Sequence, residues 1–190
     1  MQGKIIVLSA PSGTGKSTII QKLIKDIELR LGFSISATSR NPRQGETHGK
    51  DYYFLTEEEF DTHVSNGDFV EWEEVYAGVK YGTLESEINR VTADGRNLIM
   101  DIDVKGALNI KKKYGDKALL IFISPPDLKT LEERLRTRAT DKEEVIKKRL
   151  DKAEFELGFK DEFDCSVVND NLDKAVSETS FLIKSFITSV

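Results

Sequence analysis

The sequence predicts an α/β fold: a parallel sheet core flanked by helices, with a small inserted α+β region and a helical lid. Three observations predict it. Apolar runs at 4–9, 97–103, 118–123 and 165–169 read as buried strands, and helical periodicity follows them, the alternation that builds a parallel sheet. The first run passes into its helix through Ala10-Pro11-Ser12-Gly13-Thr14-Gly15-Lys16-Ser17-Thr18, a tight Gly-rich loop. Between about 34 and 93 the alternation breaks, and polar loops, a capping box and two short strand-like runs stand in its place.

The loop at 10–18 sits in the strand–loop–helix context that a phosphate-binding P-loop requires. Successive backbone N–H groups form an anion-binding concavity there, and the helix N-terminus adds partial positive charge. Gly13 and Gly15 let the backbone curl around a phosphate without a side chain in the way. Lys16 is placed to reach the β- and γ-phosphates of a nucleoside triphosphate, and the Ser17 hydroxyl to ligate Mg²⁺. The general pattern begins with Gly, and Ala10 stands there instead. The plainer alternative is a Gly-rich turn that only joins a strand to a helix.

Composition narrows the classes. The 190 residues suit one α/β domain with room for an insertion, and 38% hydrophobic with 32% charged residues allows a core and a solvated surface. A net charge of −5 excludes a generic nucleic-acid binder, so cationic groups that meet phosphates must be concentrated locally. Cys165 is the single cysteine; it lies in an apolar run and reads as a small core residue in a reducing compartment. The N-terminus opens directly into a strand without signal-peptide character, and no apolar run approaches the ~20 residues that span a bilayer. A cytoplasmic location is expected, with no membrane or nucleic-acid partner. Monomer and homodimer are both open.

In chain order, the first helix is expected at 16–30 with Ile19, Ile20, Leu23, Ile24 and Ile27 on its buried face and Gly32 as its stop. A short strand is expected at 33–37. The polar stretch 38–52 follows, where Pro42 disfavours helix and leaves Arg40 and Arg43 in a loop, either solvated or a fixed phosphate clamp. Thr56 to Glu59 reads as a capping box, with Leu55 and Phe60 as a hydrophobic staple, opening a helix to about 65 that Asn66-Gly67 ends. Strands are expected at 69–76 and 79–81, then a helix capped by Thr83 that runs to about 93.

The run 97–103 returns to the core and ends in Asp101 and Asp103, which share one strand face by the period of two. Ligands bind beyond the carboxyl ends of such strands, although either Asp can instead cap the helix expected at 106–114. After the strand at 118–123, a helix at 127–138 carries Leu128, Leu131 and Leu135 as a stripe, with Arg134 and Arg138 on one face. A second capping box at 140–143 opens a long helix to about 157 that bears Arg149. These Arg residues form either a solvated face or a mobile lid that supplies charge to a transferring phosphoryl group. A strand at 165–169, ending in Asn169, and a helix at 173–189 close the chain.

Taken together, residues 10–18, Thr38-Ser39-Arg40-Asn41-Pro42-Arg43, Gly49-Lys50-Asp51-Tyr52, Phe69-Val70-Glu71-Trp72, Tyr81-Gly82-Thr83 and Asp101-Ile102-Asp103 resemble guanylate kinase over essentially the whole chain. The resemblance implies a core at about 1–33, 94–125 and 158–190, a GMP-binding insertion at about 34–93 and a lid at about 126–157. It implies Mg²⁺-dependent transfer of the γ-phosphoryl group of ATP to GMP, and to dGMP, in purine nucleotide metabolism and GMP recycling. It places Arg40, Arg43, Tyr52 and Tyr81 on the GMP phosphate and Ser36, Glu71, Thr83 and Asp103 on guanine, with Asp101 beside them. It places Arg134, Arg138 and Arg149 in the lid and Asn169 near adenine.

The residue chemistry agrees. Guanine presents N1–H and its amino group as adjacent donors, and a carboxylate such as Glu71 accepts both. Adenine leaves it unpaired, and sites built on buried polar groups reject such analogues by about 10⁴–10⁵. Without the resemblance, Glu71 also reads as an exposed strand residue. Two rivals remain: a kinase for AMP or a pyrimidine nucleotide, and a non-catalytic module of the same fold that binds phosphopeptides. No general base is expected, because the GMP phosphate is already anionic, and the insertion and lid are expected to close over both nucleotides.

Overall fold

The computed structural model describes residues 3–76, 78–138 and 143–189, and its side chains except those of Val75, Tyr76 and Arg138. In chain order these residues form β1 (Ile5–Ser9), α1 (Lys16–Leu23), β2 (Leu31–Phe33), β3 (Ala37–Thr38), β4 (Tyr53–Phe54), α2 (Glu57–Asn66), β5 (Phe69–Tyr76), β6 (Val79–Leu84) and α3 (Glu85–Thr92). There follow β7 (Asn97–Asp101), α4 (Val104–Tyr114), β8 (Ala118–Ser124), α5 (Leu128–Arg138), α6 (Glu143–Leu157), β9 (Cys165–Val168) and α7 (Leu172–Thr188).

The apolar runs build a parallel sheet in the order β2-β7-β1-β8-β9. The run carrying the Gly-rich loop is its middle strand, buried on both faces, which is why it shows no polar alternation. Ile5 and Val7 point to a core closed by α3 and α4, whereas Ile6 and Leu8 point to a second core closed by α1 and α7. The loop after β1 is therefore held between two packed layers. Among the described residues no helix is long and apolar enough to cross a membrane.

The second sheet, β4-β3-β6-β5, is mixed, with β3 and β6 and then β6 and β5 antiparallel. Thr56 and Glu59 make the expected reciprocal capping box, and Gly67 ends α2 in the left-handed conformation at φ 72°. Phe60 is fully buried and stacks on Phe69 at 4.4 Å.

Several elements differ from expectation. The first helix stops at Leu23, because Asp26 accepts a hydrogen bond from the Glu28 N–H and starts a separate 3₁₀ turn at Ile27–Leu29. Leu29 is buried in place of Ile27, which is 87% exposed. Gly32 lies inside β2 and is no helix stop; a Cβ there would come within 2.6 Å of Val91 Cγ1. Thr83 caps nothing. Its strand runs on to Leu84, which precedes α3, and Thr83 is fully buried opposite Glu71. Asp103 lies beyond the end of β7 and caps α4 by accepting the Gly106 N–H at 2.7 Å, so it shares no strand face with Asp101. Leu128 is 37% exposed, so the apolar stripe of α5 begins at Leu131. The expected capping box at 140–143 has Thr140 outside the described residues.

Candidate active site

Gly13 and Gly15 adopt φ of 91° and 97°, a region open to glycine and costly for other residues. Gly15 is the N-cap of α1 and accepts from the Thr18 and Ile19 N–H groups. The Asn169 side chain donates to the Thr14 carbonyl at 2.7 Å and fixes the loop against the end of β9. A Cβ on Gly15 would stand 2.6 Å from Asn169 Nδ2. Gly15→Ala therefore combines a strained backbone of about 1–3 kcal/mol with a clash at the loop's anchor. The expected result is a loss of triphosphate affinity of about tenfold or more by calorimetry, with a lowered melting temperature; unchanged affinity would contradict this geometry.

The loop separates two clefts. One, of about 530 Å³, lies between the loop, the second sheet and α6. The other, of about 590 Å³, lies between the loop, α5 and the turn after β9. Gly13, Gly15 and Thr18 line both, so anything bound on one side ends against anything bound on the other.

The first cleft gathers much of what the motifs single out: Ala10, Pro11, Ser12, Lys16 and Ser17 from the loop, Ser36, Tyr52, Glu71 and Tyr81 from the insertion, Asp101 and Asp103 from the end of β7, and Arg149 from α6. Lys16 Nζ lies 2.5 Å from Asp101 Oδ1 and 3.5 Å from the Ile102 carbonyl. Tyr52 and Tyr81 meet edge to face at 5.9 Å. Burial pushes the Glu71 carboxyl up to about 7, the Thr83 hydroxyl opposes the shift, and the nearby Asp103 charge adds to it. Thr83 Oγ1 is itself buried without a full hydrogen bond among the described residues. A buried, reluctant carboxylate beside an orphaned hydroxyl is ready for a ligand that supplies donors.

The second cleft contains Thr14, Arg134 and Asn169. Arg134 Nη1 donates to the Asn169 carbonyl at 2.9 Å, tying α5 to the turn after β9. Arg138 ends α5, and its side chain lies outside the described part of the structure.

Arg40, Arg43 and Thr83 do not form the wall of either cleft. Arg40 lies behind the tyrosines. It donates Nε–H to the Tyr81 hydroxyl at 3.2 Å, one Nη1–H to the Asn41 carbonyl, and a bidentate pair at 2.7 Å to Glu46. Four of the five guanidinium donors are thus engaged. Arg43 is exposed, and its backbone N–H also donates to Glu46 at 2.7 Å. The Arg40 guanidinium, then the Arg43 N–H, hold Glu46 down to about 2.

Sequence reasoning missed Glu46, Glu73, Lys152 and Glu156. Glu73 is two residues beyond Glu71 on the same strand, and Lys152 and Glu156 follow Arg149 at three and seven residues, so period alone puts them on the cleft side. Burial raises the Glu156 carboxyl and, with the Asp103 carboxyl beside it, raises Glu73 to about 7.

An anion-binding Gly-rich loop at the end of a central parallel strand, shared by two clefts of ligand-binding size, defines a P-loop nucleotide-binding protein with two subsites. The family model described as guanylate kinase matches residues 2–186. A guanylate kinase of Porphyromonas gingivalis is 53% identical over 184 residues, covering 97% of this chain and 98% of that protein. One of Bacteroides thetaiotaomicron is 50% identical, covering 98% and 91%. A crystal structure of guanylate kinase from Anaplasma phagocytophilum superposes with a TM-score of 0.77 at 29% identity, covering 100% of this chain and 88% of that one. The chain belongs to the guanylate kinase family.

Proposed function

We infer that the two clefts hold the two substrates of one phosphoryl transfer, ATP with its base in the second and its phosphates over the shared loop, GMP in the first, and that the chain transfers the γ-phosphoryl group of ATP to GMP, giving ADP and GDP. The observation that carries this reading is the P-loop shared between two clefts, one of which is lined by the buried carboxyl of Glu71.

On the acceptor side, Glu71 accepts the guanine N1–H and one amino N–H, Asp103 and Ser36 complete the base pocket, and Thr83 stands behind Glu71, where its buried hydroxyl reaches guanine only once the pocket closes. Tyr52 and Tyr81 hold the GMP phosphate. Because Tyr81 accepts the Arg40 Nε–H, its own hydroxyl hydrogen is free to point at a phosphate oxygen. Arg40 contributes its remaining N–H, and Arg43 swings in from the exposed loop. On the donor side the P-loop N–H groups cradle the ATP phosphates, Asn169 lies against adenine, and Arg134, Arg138 and Arg149 surround the transferring group. Asp101 parks the Lys16 ammonium beside the loop until a γ-phosphate competes for it.

The described residues include no cluster of three or more metal-binding side chains. That donor set suits Mg²⁺, which keeps most of its waters and is held largely by substrate phosphates, with the Ser17 hydroxyl as the protein's ligand. Bound there, Mg²⁺ supplies charge neutralisation to the phosphates. Positioning and charge do the rest: the GMP phosphate is already an anionic nucleophile, and no residue need remove a proton.

The division into core, GMP-binding insertion at about 34–93 and lid at about 126–157 belongs to the same reading, with closure of both over the nucleotides excluding water. So do acceptance of dGMP, a cytoplasmic location and a role in purine nucleotide recycling. Incubation with ATP, Mg²⁺ and GMP should yield ADP and GDP in equal amounts. ADP release at the same rate without GMP would overturn the reading, because it would make the chain a hydrolase.

A further inference from the structure

Glu73 shares its strand face with Glu71, lines the first cleft, and brings its carboxyl to hydrogen-bond distance of Asp103. Asp103 is held from the other side, since its Oδ1 accepts the Gly106 N–H at 2.7 Å. Gly106 is the hub of this arrangement: a Cβ there would lie 3.1 Å from Glu71 Oε2 and 3.3 Å from Asp103 Oδ1. The Glu71 and Asp103 carboxyls therefore meet at the first turn of α4, and Glu73 reaches Asp103 from the strand. Two carboxyls in contact cannot both remain ionised at low cost, and together with burial this favours a proton on Glu73, which makes it the donor.

We propose that Glu73 is a positioning residue of the acceptor site, which donates a hydrogen bond to Asp103 and so holds that carboxylate beside Glu71, where the guanine amino group is read. The proposal rests on the assignment of GMP to the first cleft. Glu73 acts through Asp103 and need not touch the nucleotide. Its protonation is set by every element around it. Burial and the Asp103 carboxyl favour the neutral acid, Glu71 on the same strand adds to this, and Lys152 from α6 opposes it. Tyr81 pairs with it across β6, and Arg149 and Glu156 of α6 face the same cleft. The balance places the Glu73 carboxyl near 7.

The sign follows. Below that value Glu73 carries its proton and the bridge to Asp103 is made. As pH rises through it, Glu73 ionises, the donor is lost, and two like charges push Asp103 away from its place. A glutamine at this position donates its amide N–H at any pH.

The test is steady-state kinetics of wild type, Glu73→Gln and Glu73→Ala between about pH 6 and pH 8. Glu73→Ala should raise KM for GMP by about tenfold at pH 6, the loss of one charge-assisted hydrogen bond, with kcat and KM for ATP changed by less than about twofold. Glu73→Gln should keep the wild-type KM for GMP at pH 6. The ratio of wild-type to Glu73→Gln KM for GMP should then climb from about one to about tenfold at pH 8. Taking the ratio removes the titrations of Glu71 and of the GMP phosphate, which both proteins share.

A pH-independent ratio overturns the proposal, as does a Glu73→Ala enzyme with unchanged KM for GMP. If the alanine variant folds poorly, the isosteric glutamine variant carries the test alone. Wild type that fails to phosphorylate GMP at any pH refutes the assignment of the cleft, and a wild type that turns over GMP with a flat ratio refutes only the role of Glu73.

Discussion

Lys16→Ala is expected to lower kcat by about 10³-fold or more, because charge stabilisation is nearly all that a protein contributes to phosphoryl transfer. Lys16 is the first residue of α1, at the mouth of the anion-binding loop, and its ammonium lies within 2.5 Å of Asp101. On the proposed reading, removing it takes away the positive charge where the leaving and transferring phosphates meet. The fold should survive. The pair keeps some contact with water, at 16% and 28% side-chain exposure, so its loss should cost about 1 kcal/mol or less. A near-normal melting temperature with kcat collapsed at saturating ATP and GMP is the expected result. A kcat within about tenfold of wild type would show that the loop binds phosphate without serving transfer.

Glu71→Ala is expected to cut kcat/KM for GMP by about 10²–10³-fold and to leave ATP affinity within about twofold, since two guanine donors lose their acceptor. The variant also tests the burial argument. Glu71 titrates near 7 in the folded chain and near the ordinary carboxylate value when unfolded, so folding favours its protonated form. That favourable contribution is complete below the unfolded value and is lost as pH rises through 7. Glu71→Gln, which cannot ionise, should therefore gain stability over wild type between about pH 5 and pH 8 in chemical denaturation. A constant difference across that range would mean that the carboxyl is well hydrated.

Much of the fold was legible because the parallel core leaves a local mark. Strands buried on both faces are apolar along their interior, and residues 5–8, 98–100 and 118–123 are. The Gly-rich loop was legible for the same reason: each residue's role is local. Failures arose where a local signal had two uses. Thr83 looks like a helix cap, yet its pairing with Glu71, twelve residues away, carries the strand past it. Asp26 stops α1 by a side-chain hydrogen bond that periodicity does not see.

In the site, Ser36, Tyr52, Glu71, Tyr81, Asp101, Asp103 and Arg149 converge from six segments, and the sequence alone singles each of them out. The Arg40 environment was not legible. That Glu46 grips its guanidinium and Tyr81 takes its Nε–H depends on how a Gly-rich loop folds back onto β6. Glu73, Lys152 and Glu156 carried no motif, although strand and helix periods place them beside residues that did.

On the proposed reading, the P-loop is the donor half of a two-nucleotide site whose acceptor half reads guanine through Glu71. The most direct test of that reading is kcat/KM for GMP, AMP, UMP and dTMP, with ATP as donor and ADP release coupled to a chromogenic signal. GMP should lead AMP by about 10⁴-fold, because adenine would leave the Glu71 carboxyl unpaired in its buried pocket. AMP or a pyrimidine nucleotide turned over as well as GMP would contradict it.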